Sequence, residues 1–395
     1  LGRHTPIFDH VTEKSIGGYA EGVALLSFHD LYNLPFTACD FWEFTVQVVG
    51  RMSSVPTTIE ELKRQAGVNQ PGTTLHAQVE AITAKQTRDQ KPYLEVLVRD
   101  ATANFTLRVW SDHPAYRTCT QLHSGEFIAI EGEFHVNPNF GLEARNWTIE
   151  PLKTDEKSSL LAGPQDLQDK QKADFETIEM FAGSIRDPRL HRLSALFLTE
   201  FGDRFRRAAG ARNHHHARRG GLVEHVAQMM RSANSLTTVY PTLNRDLLLT
   251  GILFHDAGKM WENCFGKESF VMPYDVWGEL LGHISIGVEL VNRLWYKLKE
   301  LPEFLDWNLL VPDSDAVRLH LIHLVAAHHG EKQFGSPVEP KTPEAIVLHM
   351  VDNLDAKLEM FFSAYQNGHH LSPEIIERVR PLLSNVVESL KVIDL

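Results

Sequence analysis

The sequence predicts a multidomain α and β chain, with a small N-terminal β-barrel followed by an all-α domain. Three observations predict it. Short alternating apolar runs broken by turn chemistry fill the stretch from Thr73 to Glu150. A stretch rich in Lys, Asp, Gln and Ser, with Gly163-Pro164 inside it, follows. Beyond it, apolar residues recur at three-and-four spacing.

Composition bounds the class. Of 395 residues, 43% are hydrophobic and 23% charged, which is ordinary globular material with enough apolar content for two or three domains. Three cysteines, Cys39, Cys119 and Cys264, are too few and too scattered for a disulfide framework or a thiolate zinc knuckle. No apolar run is long enough to span a bilayer, and the first residues lack the basic, apolar and small-residue succession of an export signal. The expectation is a cytoplasmic protein with no membrane partner. A net charge of -12 argues against general coating of nucleic acid, yet it leaves room for a carboxylate-bearing metal site and a local basic groove.

Residues 1–60 show no pattern and form an extension of unassigned role. Within 61–150, strands are expected at Leu75 to Ile82, Tyr93 to Asp100, Phe105 to Trp110, Phe127 to Val136 and Leu142 to Glu150. Turns containing Arg88 to Pro92, Ala101 to Asn104 and Asn137 to Gly141 divide them. Five short strands suit a small closed barrel of the OB type, a common holder of single-stranded nucleic acid. Tyr93 and Phe140, beside turns, are the candidate exposed platforms for bases. The barrel's charge gives no support, with seven Lys or Arg against ten Asp or Glu from Gln70 to Glu150. Residues 151–175 read as a linker or a loosely packed connecting helix, and 176–395 as helical throughout. Within the latter, Leu247 to Phe254, Ile284 to Leu298, Val317 to Ala327 and Ala345 to Phe362 are the periodic segments.

Fourteen of the 21 histidines gather in this helical half. Gly220-Gly221-Leu222-Val223-Glu224-His225 comes first, followed by His255-Asp256-Ala257-Gly258-Lys259 and Gly282-His283-Ile284. His328-His329-Gly330 and His349-Met350-Val351-Asp352 complete the set. Imidazole and carboxylate are ligand types that Mn²⁺, Fe²⁺ and Mg²⁺ accept, and the absence of cysteine speaks against a structural zinc site. His320 and His323 read as helix-surface residues, and His369 and His370 as part of a loop.

The order His225, His255-Asp256, Asp352 resembles the HD superfamily of metal-dependent phosphohydrolases, whose four ligands lie on separate helices of one bundle. The flanking texts narrow the resemblance. Asn213-His214-His215-His216-Ala217 precedes the first ligand, and Thr342-Pro343-Glu344-Ala345 precedes Asp352-Asn353-Leu354-Asp355-Ala356-Lys357. With the barrel, these texts look like the YhaM-type 3′-to-5′ exoribonucleases over Thr73 to Phe362, and they leave residues 1–60 unmatched. The resemblance implies a divalent metal, with Mn²⁺ foremost and Mg²⁺, Fe²⁺ or Co²⁺ as alternatives. It implies single-stranded RNA as substrate, with DNA as a further candidate, and a homo-oligomer.

If His225, His255, Asp256 and Asp352 converge, they form a mixed nitrogen and oxygen site with positions left for water and a phosphate oxygen. Asp256 is the natural bridging and catalytic residue. His283, with His328 or His329, would hold a second ion about 3.5 to 4 Å from the first, or, if the site takes one ion, His283 and His328 would contact the substrate. Lys259, one turn past His255, would neutralise charge on a phosphate oxygen. Arg204 to Arg219 contains no acid, so His215, His216, Arg218 and Arg219 are candidate contacts to the strand's phosphates, against the plainer reading of a solvated loop. Two other functions stand as alternatives, the first with identical ligands and the second with a decayed site. One is an HD-type nucleotidase or cyclic-nucleotide phosphodiesterase acting on a small molecule. The other is a non-catalytic nucleic-acid-binding regulator.

Overall fold

A computed structural model describes residues 56–64, 70–137, 141–212 and 216–390. The expectations for residues 1–55, for Phe140 and for His214 and His215 lie outside the described residues.

Helix α1 (Ile59–Arg64) precedes five antiparallel strands: β1 (Gln70–Gln86), β2 (Pro92–Arg99), β3 (Asn104–Trp110), β4 (Phe127–Asn137) and β5 (Gly141–Pro151). Their order is β3-β2-β1-β4-β5. Strand β1 is long enough to serve two partners, pairing with β4 from Gln70 to Gln78 and with β2 from Gln78 to Gln86. Register shifts at Gln70/Thr73 and Val79/Ala81 bend it, and the edge strands β3 and β5 approach each other as the sheet curls. Alternation then decides which side chains face inward: Val96, Val98, Leu107, Val109, Ile128 and Ile130 are buried together. Ile59 and Leu62 of α1 close this core. Asp100, at the β2–β3 turn, accepts hydrogen bonds from the Ile59 and Ala103 amides at 2.7 and 2.8 Å, and so ties α1 to the turn. Helix α2 (Tyr116–Cys119) spans the β3–β4 connection.

The polar stretch after the barrel forms α3 (Thr154–Ala162) and α4 (Gln165–Gly183). Helix α4 runs through position 175 into the bundle, because Phe175, Ile178 and Phe181 face the core while Gln165, Asp169 and Lys172 face outward.

The bundle comprises α5 (Pro188–Phe205), α6 (Gly221–Val239), α7 (Arg245–His255), α8 (Lys259–Glu262), α9 (Val276–Lys299), α10 (Phe304–Trp307), α11 (Ser314–Ala327) and α12 (Pro343–Asn367). Helix α7 is its axis: every residue from Leu247 to His255 is buried, and α6, α11 and α12 pack around it. Side-chain caps start the helices, with Asp187, Asn244, Asp275, Asp313 and Thr342 each accepting a backbone amide of its first turn.

The expectation of helix to the C-terminus is corrected by a three-stranded sheet: β6 (His370–Ser372), β7 (Ile375–Ile376) and β8 (Val386–Val387). Its Ile376 and Val386 pack on Ala364 at the end of α12, and His370, expected in a loop, opens β6. Strands this short leave no periodicity to read. No helix of the described residues is long and apolar enough to cross a membrane.

Candidate metal centre

Five imidazoles and two carboxylates converge where α6, α7, α9, α11 and α12 meet. His225 comes from α6, His283 from α9 and Asp352 from α12. His255 and Asp256 lie at the end of α7, and His328 and His329 just past α11. Asp256 is central. Its Oδ2 is 3.3 Å from His255 Nε2 and 3.7 Å from His225 Nε2, while its Oδ1 is 3.6 Å from Nε2 of both His283 and His328. Asp352 Oδ1 lies 3.3 Å from His225 Nε2, and the Nε2 atoms of His283 and His329 are 3.3 Å apart.

The far ring nitrogens decide where the lone pairs point. Nδ1 of His255, His328 and His329 faces the carbonyls of Ile252, Val325 and Phe334 at 2.8, 2.7 and 2.9 Å. A carbonyl only accepts, so Nδ1 carries the proton and the neutral ring presents the Nε2 lone pair inward. Carboxylates face Nδ1 of the other two, with Asp355 Oδ2 2.7 Å from His225 Nδ1 and Glu262 Oε2 3.0 Å from His283 Nδ1, which turns both Nε2 atoms inward. Nε2 of His255 and His328 and Oδ1 of Asp256 are buried and make no hydrogen bond among the described residues. Inward lone pairs without donors are costly to bury, and two neutral Nε2 atoms 3.3 Å apart repel unless a cation or proton lies between them. Ligand atoms about 2.1 Å from one ion stand roughly 3.0 to 3.4 Å from one another, close to the spacing seen around Asp256. The donor set therefore fits a divalent cation. Two ligand groups share Asp256: one with His225, His255 and Asp352, the other with His283, His328 and His329.

Charge is distributed to match. Burial opposes ionisation of Asp256, but the Lys259 ammonium beside it outweighs burial and holds the carboxyl well below the usual carboxylate range. Burial also works against the Lys259 ammonium, and the carboxylates of Asp256 and Asp352 raise its pKa nonetheless; Nζ is 2.6 Å from Asp256 Oδ2. Burial would lower His225, but Asp352 and Asp355 raise it to about 9. His328 is dominated by burial, which pushes it down to about 4.

Local backbone sets these positions. Asp256 leaves helical geometry at the end of α7, and α8 restarts at Lys259, which turns that side chain back toward Asp256. Helix α9 breaks at Gly282, whose φ of 68° favours glycine, so that His283 opens a new helical run. The His283 amide donates to Glu262 Oε1 at 2.6 Å. Gly258 packs so closely that a Cβ there would lie 2.0 Å from the His283 carbonyl oxygen.

Of the residues singled out from sequence, His225, His255, Asp256, Lys259, His283, His328, His329 and Asp352 lie together. His216 joins them indirectly, its Nε2 3.0 Å from Asp355 Oδ2. Arg218 bonds Glu224 through Nε at 3.0 Å and Nη2 at 2.5 Å, and Lys170 reaches the same carboxylate at 2.8 Å. Arg219 donates to the carbonyls of Gly266, Lys267 and Ser269 at 2.7, 2.8 and 3.2 Å, so its guanidinium fastens that loop rather than standing free. Tyr93 lies on the barrel with its ring 4.9 Å from that of Trp110, away from the cluster. His215 and Phe140 lie outside the described residues.

Sequence reasoning passed over Asp355 and Glu262, which brace His225 and His283. A signal existed: Asp355 follows Asp352 by three residues and Glu262 follows Lys259 by three, which places each pair on one helix face.

The HD domain family matches residues 222–357, the span that contains all the converging residues. The 3′-5′ exoribonuclease YhaM of Bacillus pumilus is 31% identical over 308 residues, which are 77% of this chain and 90% of that protein. The chain belongs to the YhaM family of exoribonucleases. The Bacillus subtilis member is 30% identical over 296 residues, 74% of this chain and 83% of its own length. As a member of the family, the chain is a hydrolase of the HD superfamily with a divalent-metal site. Among solved structures, a replication factor A related protein from Methanobacterium thermoautotrophicum aligns with 25% of this chain and 92% of its own, at 21% identity and a TM-score of 0.20.

Proposed function

We propose that the chain shortens single-stranded RNA from its 3′ end by metal-dependent hydrolysis, accepts single-stranded DNA as well, and works in the cytoplasm with Mn²⁺ as its ion. One observation carries this reading: neutral imidazoles whose tautomers are fixed by carbonyls turn their lone pairs on a single ionised aspartate. His225, His255, Asp256 and Asp352 would hold one ion, and Asp256 with His283, His328 and His329 a second. Such ions, when bound, would polarise the scissile phosphodiester and acidify water at neutral pH. The chain's own residues do the rest. Asp256, kept ionised, joins the two ligand groups. Lys259, kept protonated beside it, offsets charge gathering on the phosphate oxygens. The carbonyls behind His255, His328 and His329 hold the rings so that no reorientation is needed during reaction.

The barrel, residues 61–150, is proposed to hold the strand upstream. Support comes from Trp110, which is 41% exposed and backed by Tyr93, beside a cavity of about 350 Å³ that Arg108 and Arg145 also line. An exposed indole over a second ring, next to guanidinium groups, suits base stacking and phosphate contact. Self-association is proposed from α12, where Ile346, Met350, Leu354, Leu358 and Phe362 are exposed at four-residue spacing. The deciding experiment is incubation of the protein with a 5′-labelled oligoribonucleotide and Mn²⁺. A ladder shortening from the 3′ end is expected, and an intact oligonucleotide overturns the reading.

A further inference from the structure

A furrow runs between the barrel and the bundle, outside the metal centre. Two cavities of about 250 and 280 Å³ share Glu60, Thr102, Arg218, Glu359, Ser363 and Gln366 in their walls, so they join into one. The first is also lined by Lys63 of α1, Arg99 of β2 and Arg380 of the C-terminal segment. Arg99 is committed, with Nε 2.8 Å from Glu80 and Nη1 3.3 Å from the Ala217 carbonyl oxygen, and Arg218 is held by Glu224. Lys63 and Arg380 form no ion pair among the described residues. Burial lowers the Lys63 pKa, and Asp100 pulls it the other way. An ammonium kept half-buried with no carboxylate at ion-pair distance among the described residues is a place for an anion.

Two features say which anion. Glu60, Glu61, Asp166 and Glu359 also line the furrow, so its net positive charge is small. A phosphodiester carries one negative charge, whereas a terminal phosphate carries between one and a half and two, roughly. The furrow also borders the support of the metal centre: His216, in its wall, lies 3.0 Å from Asp355, which in turn lies 2.7 Å from His225.

We propose that this furrow is a phosphodiester site, in which Lys63 and Arg380 hold backbone phosphates of the strand between the barrel and the metal centre. The assignment rests on the RNA reading above. Its test is the Lys63→Gln/Arg380→Gln double variant of the whole chain, with Lys63→Arg as a charge-retaining control for folding. On single strands each phosphate contact contributes a slope of about 0.7 to the dependence of log K on log salt. Losing two contacts should reduce the slope by about 1.4, and KM for a long oligoribonucleotide should rise about tenfold with kcat at saturation unchanged. Lys63→Arg should behave as wild type, and a free mononucleotide should not compete with the strand. An unchanged salt slope overturns the proposal, as does a fall in kcat equal to the rise in KM, which is what a merely structural pair would give. Competition by a mononucleotide in wild type that the double variant abolishes assigns the furrow to a free nucleotide instead, and overturns it too. If wild type leaves RNA intact, the RNA reading fails first. If wild type shortens RNA and the double variant matches it throughout, only the furrow assignment fails.

Discussion

Asp355→Ala isolates the support of one ligand from the ligand itself. In the folded chain Asp355 Oδ2 faces His225 Nδ1 at 2.7 Å and His216 Nε2 at 3.0 Å, and His225 is buried. Alanine removes the acceptor that fixes the His225 tautomer, so the ring can rotate or take the tautomer that turns a proton toward the centre. A buried donor left without its acceptor costs about 1 to 3 kcal/mol. At about 1.4 kcal/mol per decade this predicts a metal dissociation constant raised roughly tenfold to a hundredfold, the range known for residues that orient metal ligands. Asp355→Asn keeps an acceptor oxygen without the charge and should fall between alanine and wild type. The assay is calorimetric titration of metal-free protein with Mn²⁺, followed by strand shortening at saturating Mn²⁺, where kcat should recover to within a few fold. A metal affinity in Asp355→Ala equal to wild type refutes the reasoning.

Other perturbations separate binding from scaffolding. Arg219→Ala should lower the unfolding midpoint by a few degrees, because it frees the carbonyls of the 266–269 loop, while leaving the salt slope of strand binding unchanged; thermal melts and binding isotherms check both. Trp110→Ala should weaken a single strand by about 1 to 3 kcal/mol, the usual worth of one stacked base, with metal binding unaltered in the same titration. Gly258→Ala forces a methyl against the His283 carbonyl, and soluble protein carrying it should bind less metal than wild type by elemental analysis.

Much of this architecture was legible in the sequence. The barrel was readable because alternation shows wherever one strand face is buried, as in Val96, Val98, Leu107 and Val109. The convergence was readable because its residues sit in short texts, with His255-Asp256 and His328-His329 at helix ends, and the order of those texts survives without knowledge of packing. The arginine run was less transparent. Whether Arg218 and Arg219 meet solvent or protein depends on Glu224 and on three carbonyls some fifty residues away, partners that spacing along the chain does not reveal. Position 175 looked like an end because polar residues dominate around it, yet Phe175, Ile178 and Phe181 form a narrow inward stripe. Tyr93 stands out in the sequence because it lies beside a turn, whereas the exposed ring of the pair is Trp110: alternation gives the facing of a strand but not which of its ends stays exposed.

The central claim is that Asp256 joins two ligand groups into one working metal centre. Elemental analysis of Asp256→Asn, with strand shortening measured on the same preparation, tests it most directly. The variant is expected to fold, to retain less than half of the wild-type metal and to give no measurable shortening of RNA. A variant with its full metal complement and wild-type shortening would contradict it.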